Sequence, residues 1–148
     1  RFAYFSRASL EYIVKSRKMP DVIHIHNWQT SLVGPLFWDV FVNEGLERTR
    51  IVLTCQGLES QRLEEPGKLA LCGLDPSSLF RPDRLQDNDK PHLVNILKGG
   101  VVYSNRVILM SSFLSKGEII DGYGHGLEHT LATHRHKLMI APHGLDSS

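Results

Sequence analysis

The sequence predicts an α/β fold built on a parallel sheet. Four short apolar runs, at 22–26, 50–55, 106–110 and 137–141, have the length and composition of buried strands. Segments with the apolar spacing of helices separate these runs, and this alternation is typical of parallel strands joined by right-handed crossovers. Each run ends abruptly in polar residues, at the edge of the sheet where open α/β folds bind their ligands.

Composition limits the classes of function. The chain has 148 residues, 41% of them hydrophobic and 22% charged, which is ordinary for a globular protein and enough for one domain or part of one. A net charge of +1 indicates no nucleic-acid partner, and no apolar run approaches the roughly 18 residues that a membrane span needs. Cys55 and Cys72 fit no metal-site spacing, so we expect reduced core thiols. Because the chain begins at Arg1 and at once reads as helix, we expect a fragment or a processed piece.

Helical spacing predicts five helices, at 2–17, 29–43, 92–103, 113–120 and 127–135. The second is apolar nearly all round and is therefore expected to be buried. Lys98, Gly99 and Gly100 lie inside the third pattern, where glycines favour close helix packing over phosphate binding. Segment 62–91 is rich in proline and glycine and predicts a long loop with one short helix near 68–72. Loops of this length inside compact domains are usually functional or mobile.

The polar strand ends are the first candidates for ligand binding. They supply His26, Asn27, Trp28 and Gln29 after the first strand, Gln56 and Gly57 after the second, Ser111 and Ser112 after the third, and His143, Gly144, Leu145 and Asp146 after the fourth. Amides and imidazoles provide paired donors and acceptors for sugar hydroxyls, and a tryptophan face stacks on a pyranose ring. The same tryptophan and histidines are also consistent with simple packing and capping at a strand end.

A zinc site is a weaker interpretation of the histidines near the C-terminal end. His125 and His129 are four residues apart with Glu128 beside the second, so they share one face of a predicted helix. The order His-Gly-Leu-Glu-His is not the His-Glu-x-x-His of metalloproteases, in which the glutamate follows the first histidine directly. We therefore expect no metal site.

Four stretches, taken together, resemble a known family. They are Asp21-Val-Ile-His-Ile-His-Asn-Trp-Gln-Thr30, Leu71-Cys-Gly-Leu-Asp75 with Arg81-Pro-Asp-Arg-Leu-Gln-Asp87, Leu97-Lys-Gly-Gly-Val-Val-Tyr-Ser-Asn105, and His143-Gly-Leu-Asp146. In this order they resemble the plant starch synthases, glycosyltransferase family five, over the N-terminal half of the catalytic region.

The resemblance implies a GT-B fold, in which two Rossmann-like domains enclose the active site between them. Residues 1–148 would form part of the N-terminal domain, and the second domain would be absent. The reaction implied is glucose transfer from ADP-glucose to the non-reducing end of an α-1,4-glucan, in plastids and without any other cofactor. Strand-end residues of the first domain would line the acceptor side of the cleft.

Several positions depart from the pattern of active members. Asn27 stands where they have the aspartate of His-x-His-Asp-Trp, Gln56 replaces the histidine of Thr-Cys-His-Asn, and His143 replaces the asparagine of Leu-Asn-Gly-Ile-Asp. The glutamate that active members carry within segment 111–117 is also missing. The comparison therefore implies that none of these catalytic positions is intact, while His26, Asn27, Trp28, Gln29, Gln56, His143, Gly144 and Asp146 remain candidates for substrate binding.

Substitution at several positions of one site, with the scaffold motifs kept, is the pattern of a pseudoenzyme. It is most similar to the fifth starch synthase class, whose members lack most of the second domain and act with partner proteins in starting starch granules. We expect binding of α-glucan, such as amylopectin or a maltooligosaccharide, in support of plastid granule-initiation proteins, with little or no transferase activity. The alternatives are a truncated piece of an active ADP-glucose starch synthase and a protein-interaction scaffold that binds no glucan.

Overall fold

A computed structural model describes residues 2–142 and confirms the parallel α/β fold. The strands of the main sheet are β1 (Val22–His26), β2 (Arg50–Cys55), β5 (Arg106–Met110) and β6 (Leu138–Ala141), and two short strands, β3 (Leu63–Glu64) and β4 (Val94–Asn95), form a separate antiparallel pair. The helices are α1 (Phe2–Ser16), α2 (Val33–Leu36, continuing as a π-helical turn over Phe37–Phe41), α3 (Pro76–Leu79), α4 (Ile96–Tyr103), α5 (Lys116–Gly122) and α6 (Glu128–Thr133). Three 3₁₀ turns, Trp28–Thr30, Pro66–Cys72 and Arg135–Lys137, complete the described chain.

The main sheet runs in the order β1-β2-β5-β6 with every pair parallel. Its register aligns Ile25, Leu53, Val107 and Leu138 in one row, all of them buried. This row lies at the centre of the hydrophobic core. The first three strands have the bounds that the sequence predicts, and the fourth begins one residue later than predicted.

The two faces of the sheet differ in their surroundings. Because consecutive strands are neighbours and crossovers between parallel strands are right-handed, α2, α4 and the α5–α6 pair all fall on one face. Residues that point to the other face are more exposed, as Val22 (52%) and Met139 (55%) show. Within residues 2–142, then, one face of the sheet carries the core and the other carries no helix. No described helix is long and apolar enough to cross a membrane.

The core contains both cysteines and a close helix crossing. Cys55 and Cys72 are buried free thiols, as predicted, and burial raises the pKa of Cys55 to about 12. A Cβ added at Gly100 of α4 would lie 2.8 Å from the Cβ of Ser31, and one at Gly34 of α2 would lie 2.9 Å from the Cβ of Tyr103. The glycines therefore let α2 and α4 approach each other, in agreement with the packing role predicted for Gly100.

Replacing Gly100 tests this crossing. We expect Gly100→Ala to lower the free energy of unfolding by about 1–3 kcal/mol, because overpacking outweighs the better helix propensity of alanine. Gly67→Ala is the matched control, since a Cβ there meets nothing within 4 Å. Urea unfolding of both variants gives the comparison, and equal stability of the two would contradict the close-packing role.

The predicted helices differ from the structure in their bounds, and one of them also differs in its interior. The helix predicted at 29–43 is instead a 3₁₀ turn, a short α-helix and a π turn closed by the bond from the Val42 N–H to the Phe37 carbonyl (2.7 Å). Pro35 lacks the N–H that would donate to the Ser31 carbonyl, so the ladder is interrupted at the start of α2. The helix predicted at 92–103 begins only at Ile96, because Val94 and Asn95 pair with β3. The helices predicted at 113–120 and 127–135 are present as α5 and α6 with shifted bounds.

The long excursion at 62–91 is folded onto the domain. It contains the Pro66–Cys72 turn near the predicted short helix, and in addition β3 and α3. Leu69, Leu79 and Leu85 are buried in the core. The ammonium group of Lys98 on α4 holds the excursion in place. Its Nζ donates to the carbonyls of Pro82 (2.8 Å) and Gln86 (2.5 Å) and to Oδ1 of Asn88 (2.8 Å). The segment is therefore a long connection that holds more regular structure than the one short helix predicted for it.

A second buried lysine stabilises the end of α4. Lys137 donates from Nζ to the carbonyls of Val102 (3.0 Å) and Ser104 (2.7 Å), where a helix leaves carbonyls without intrahelical partners. Burial lowers the pKa of Lys137 to about 8. Nearby, burial and then the positive charges of Lys137, His136 and Lys98 lower the pKa of His134 to about 4.

The stability of the domain should therefore fall in mild acid. An unfolded histidine titrates near pH 6.5, so between about pH 6.5 and 4 the unfolded chain binds the proton that folded His134 excludes. The contribution of His134 to stability is complete above that window and is lost as the pH falls through it. Urea unfolding from pH 7 to 4.5 measures this loss, and His134→Gln should flatten the curve; an unchanged curve would contradict the assignment.

Candidate ligand-binding site

Asn27 joins the ends of the first two strands. Its backbone N–H donates to the Thr54 carbonyl (2.9 Å), and its side-chain Oδ1 accepts from the backbone N–H of Gln56 (2.9 Å). The Asn27 carbonyl accepts from the Ser31 hydroxyl at 2.6 Å, which fixes the start of the helical segment. Asn27 has φ 54° and ψ −166°, which lies outside the left-handed helical well in a region that only glycine adopts readily, so its backbone is strained and persists because these bonds hold it. The sequence prediction that these strand ends meet is therefore confirmed for Asn27 and Gln56.

A depression of about 340 Å³ opens at the carboxyl edge between β2 and β5. Its polar lining comes from Gln56, Glu59, Ser111, Ser112 and His125, and Phe113 and Tyr123 add aromatic surface at its mouth. Phe113 is 94% exposed and Tyr123 is also exposed. Amide, carboxylate and hydroxyl groups beside open aromatic rings suit a ligand that carries many hydroxyls.

One wall of the depression is the turn at 123–126. His125 has φ 51° and Gly126 has φ 93°, so two successive residues are left-handed. The imidazole Nε2 of His125 lies 4.0 Å from a carboxylate oxygen of Glu59, a pairing that is ionic only when the histidine is protonated. Glu128 supports the turn from α6, since its carboxylate accepts from the N–H groups of Gly124 (2.9 Å) and Gly126 (3.1 Å).

Trp28 lies at the same edge but outside the lining of this depression. Its ring meets the ring of Phe2 edge to face, with centroids 5.3 Å apart, and the guanidinium of Arg62 lies 5.9 Å from its centroid. Part of the ring is therefore engaged in packing against α1. Trp28 remains half-buried rather than enclosed, so a ligand that covers the edge can still reach it.

His26 and Gln29 are exposed beside Trp28 and do not line the depression. The backbone of His26 exchanges hydrogen bonds with the Thr30 hydroxyl, which accepts from the N–H (2.9 Å) and donates to the carbonyl (3.0 Å). The His26 ring lies against that of His24, with centroids 4.3 Å apart. Burial, followed by the charge of His26, lowers the pKa of His24. These imidazoles face solvent on the helix-free side of the sheet.

Some predicted site residues lie outside the described part of the chain, and some residues that line the depression were not predicted. His143, Gly144 and Asp146 are outside the described residues, so their place in the site stays a prediction. Glu59, Phe113 and Tyr123 were not identified as site residues, although Glu59 and Phe113 closely follow strand ends in the sequence. In the described part of the chain no three His, Cys, Asp or Glu side chains come together as a metal site would require.

The Asn27 link can be tested with three replacements. Asn27→Ala should lower the free energy of unfolding by about 1–2 kcal/mol, because it removes the acceptor for the backbone N–H of Gln56. Asn27→Gly loses the same hydrogen bond but also removes the Cβ from this positive-φ backbone, so it should be milder, while Asn27→Asp keeps an acceptor and should be nearly neutral. Chemical denaturation ranks the three, and a neutral alanine variant would show that the link contributes nothing.

A solved structure shares this architecture. The catalytic domain of starch synthase IV from Arabidopsis thaliana, solved bound to ADP and acarbose, matches with a TM-score of 0.91 and 41% identity over 99% of this chain and 30% of its own. The chain is therefore built as part of a GT-B glycosyltransferase. The family model described as the starch synthase catalytic domain matches residues 1–133, and the chain belongs to this family.

Sequence relatives agree with this family. Probable starch synthase 4, chloroplastic/amyloplastic, of Arabidopsis thaliana is 42% identical over 99% of the chain but only 14% of its own length. The glycogen synthase of Protochlamydia amoebophila is 38% identical over the whole chain and 30% of its own length, and glycogen synthase 1 of Synechococcus sp. (strain JA-3-3Ab) is 40% identical over a similar share. The chain thus spans less than a third of each of these relatives.

Proposed function

We propose that this domain binds α-1,4-glucan at the carboxyl edge of its sheet and supports starch granule initiation with little or no transferase activity. The observation that carries the proposal is the edge itself, where the amides of Asn27 and Gln56 stand at catalytic positions of the family beside a polar and aromatic depression. A glucan ligand is supported by the relative of the same fold that was solved bound to ADP and acarbose, a glucan mimic.

The two amides explain why the proposed site binds glucan but does not catalyse transfer. Asn27 keeps a hydrogen-bond acceptor where active members carry a carboxylate, and its Oδ1 is already used to hold the Gln56 backbone. Neither amide side chain can become charged, so neither stabilises the charge that develops as a glycosidic bond breaks. Both remain able to donate to and accept from sugar hydroxyls.

The partners and the location follow from the same proposal. The glucan is amylopectin or a maltooligosaccharide, the site of action is a plastid, and the assembly includes other granule-initiation proteins. ADP-glucose enters as a donor substrate only if the intact protein is active, and no other cofactor is needed. Support for the plastid comes from the chloroplastic/amyloplastic name of one relative; other relatives are bacterial.

Two measurements on the intact protein test the proposal. Incubation with labelled ADP-glucose and maltoheptaose should give no elongation above background, and turnover like that of an ordinary starch synthase would refute the inactive assignment. Retention on immobilised amylopectin should be clear, and absence of retention would favour a scaffold that binds no glucan. An active synthase is the second candidate, favoured by the 41% identity to a domain solved with ADP, and elongation is the result that it requires.

Trp28→Ala separates the two interpretations of that tryptophan. We expect glucan retention to fall about 5–10-fold, in line with the loss of one stacked sugar, while the thermal unfolding midpoint changes little. Tyr12→Ala is the control, because Tyr12 is an exposed aromatic of α1 remote from the edge. A parallel loss of retention and stability would instead assign Trp28 to packing against Phe2.

A further inference from the structure

The side-chain amides of Gln61 and Asn88 donate hydrogen bonds to the turn at 123–126 that forms one wall of the depression. Nε2 of Gln61 donates to the carbonyl of His125 at 2.9 Å and to that of Leu58 at 2.6 Å. Nδ2 of Asn88 donates to the carbonyl of Gly126 at 2.9 Å. Gln61 directly precedes the long excursion and Asn88 lies near its other end, yet the two side chains donate to adjacent residues of the same turn.

The buried side chain of Asn95 fixes the orientation of Gln61. Asn95 is 0% exposed, and its Oδ1 accepts from the backbone N–H of Lys98 (3.1 Å). Its Nδ2 must therefore point away, where it donates to Oε1 of Gln61 (2.7 Å) and Oδ1 of Asp87 (2.8 Å). With its oxygen held by Asn95, Gln61 can present only its NH₂ group to the carbonyls of Leu58 and His125.

The ammonium of Lys98 orients Asn88 in the same way. Lys98 Nζ has only donors, so the Asn88 atom 2.8 Å away is the oxygen and the amide nitrogen faces the turn. There it also lies 3.1 Å from the hydroxyl of Thr130 on α6. The oxygen of each amide is therefore held by a donor, Nδ2 of Asn95 for Gln61 and Nζ of Lys98 for Asn88. If either amide were flipped, its NH₂ group would face that donor and its oxygen would face a backbone carbonyl, and both contacts are unfavourable.

The turn needs such support because two successive residues in it, His125 and Gly126, are left-handed. A non-glycine residue such as His125 at φ 51° is unfavourable on its own and persists only where its surroundings hold it. The side chains of Tyr123 and His125 line the depression, so the backbone that carries them sets its width.

We propose that Gln61 and Asn88 are positioning residues, which hold the 123–126 wall in the geometry that receives the glucan. This inference rests on the proposed function, since the ligand is the same. The excursion then acts as a rigid brace behind the site and not as a mobile lid over it. It also gives a role to the segment around Asp87 and Lys98, which touches no part of the depression.

Two conservative substitutions test the brace in the intact protein. Gln61→Glu keeps the acceptor for Asn95 but sets a carboxylate oxygen against the carbonyls of Leu58 and His125. Asn88→Asp loses the bond to Gly126 yet gives Lys98 a charged partner, so its thermal midpoint should be maintained. Gln86→Glu is the matched control, because Gln86 belongs to the same excursion and, within residues 2–142, its Nε2 donates to the Pro91 carbonyl alone.

Hydrogen exchange measured by mass spectrometry reads the turn directly, and calorimetry with maltoheptaose reads the site. We expect both test variants to speed amide exchange at 123–127 about tenfold and to weaken maltoheptaose binding about 3–10-fold, the range of one or two net hydrogen bonds. The control should change neither. A general loss of structure would instead speed exchange throughout the sheet and lower the midpoint of Asn88→Asp.

The outcomes separate this inference from the proposed function. Unchanged exchange at 123–127 overturns the brace, as does an equal change in the Gln86→Glu control. Faster exchange with unaltered maltoheptaose affinity overturns the role of the wall in binding and leaves glucan binding elsewhere intact. If the unmodified protein binds no maltoheptaose, the proposed function fails and the binding role of the wall fails with it, while the exchange data still decide whether Gln61 and Asn88 fix the turn.

Discussion

The polar interior of this domain is arranged around one buried charge, the ammonium of Lys98. The residue is 1% exposed, and burial lowers its pKa while Asp87 and Asp83 oppose that shift. An ammonium without partners in such a place would cost several kcal/mol. The ammonium therefore has to keep its three acceptors, which are the carbonyls of Pro82 and Gln86 and Oδ1 of Asn88. These bonds hold segment 82–88 against α4. The charge on α4 thus orders, together with the buried side chain of Leu85, a segment that has little regular structure of its own.

The strands were predictable because their cause is local. Runs such as Ile51-Val52-Leu53 are apolar over the length of a strand, and polar residues stop them, so the sequence pattern alone marks their bounds. The excursion was not predictable in this way, because its bonds join residues far apart in sequence. Lys98 reaches Pro82 across 16 positions and Asn88 reaches Gly126 across 38, and the proline and glycine content of the segment does not indicate such pairings.

The candidate site was predictable in part for the same reason. Parallel strands bring their carboxyl ends together, which places Asn27 beside Gln56 without any knowledge of side-chain contacts. The orientation of the Trp28 ring could not be predicted in this way, because it is set by contact with Phe2 and therefore by the packing of α1. The wall at His125 depends on left-handed backbone and on the hydrogen bond from Gln61, and the spacing of the histidines in the sequence indicates neither.

The uneven cover of the sheet has a colloidal consequence. Parallel sheets in folded proteins are ordinarily protected on both faces, whereas residues 2–142 bury only the face that carries Ile25 and Leu53. The other face presents Val22 and Met139 to water, with Val52, Ile108 and Met110 partly exposed between them. A preparation limited to these residues would therefore tend to self-associate through this apolar face, and its solubility would depend on the face more than on the net charge of the chain.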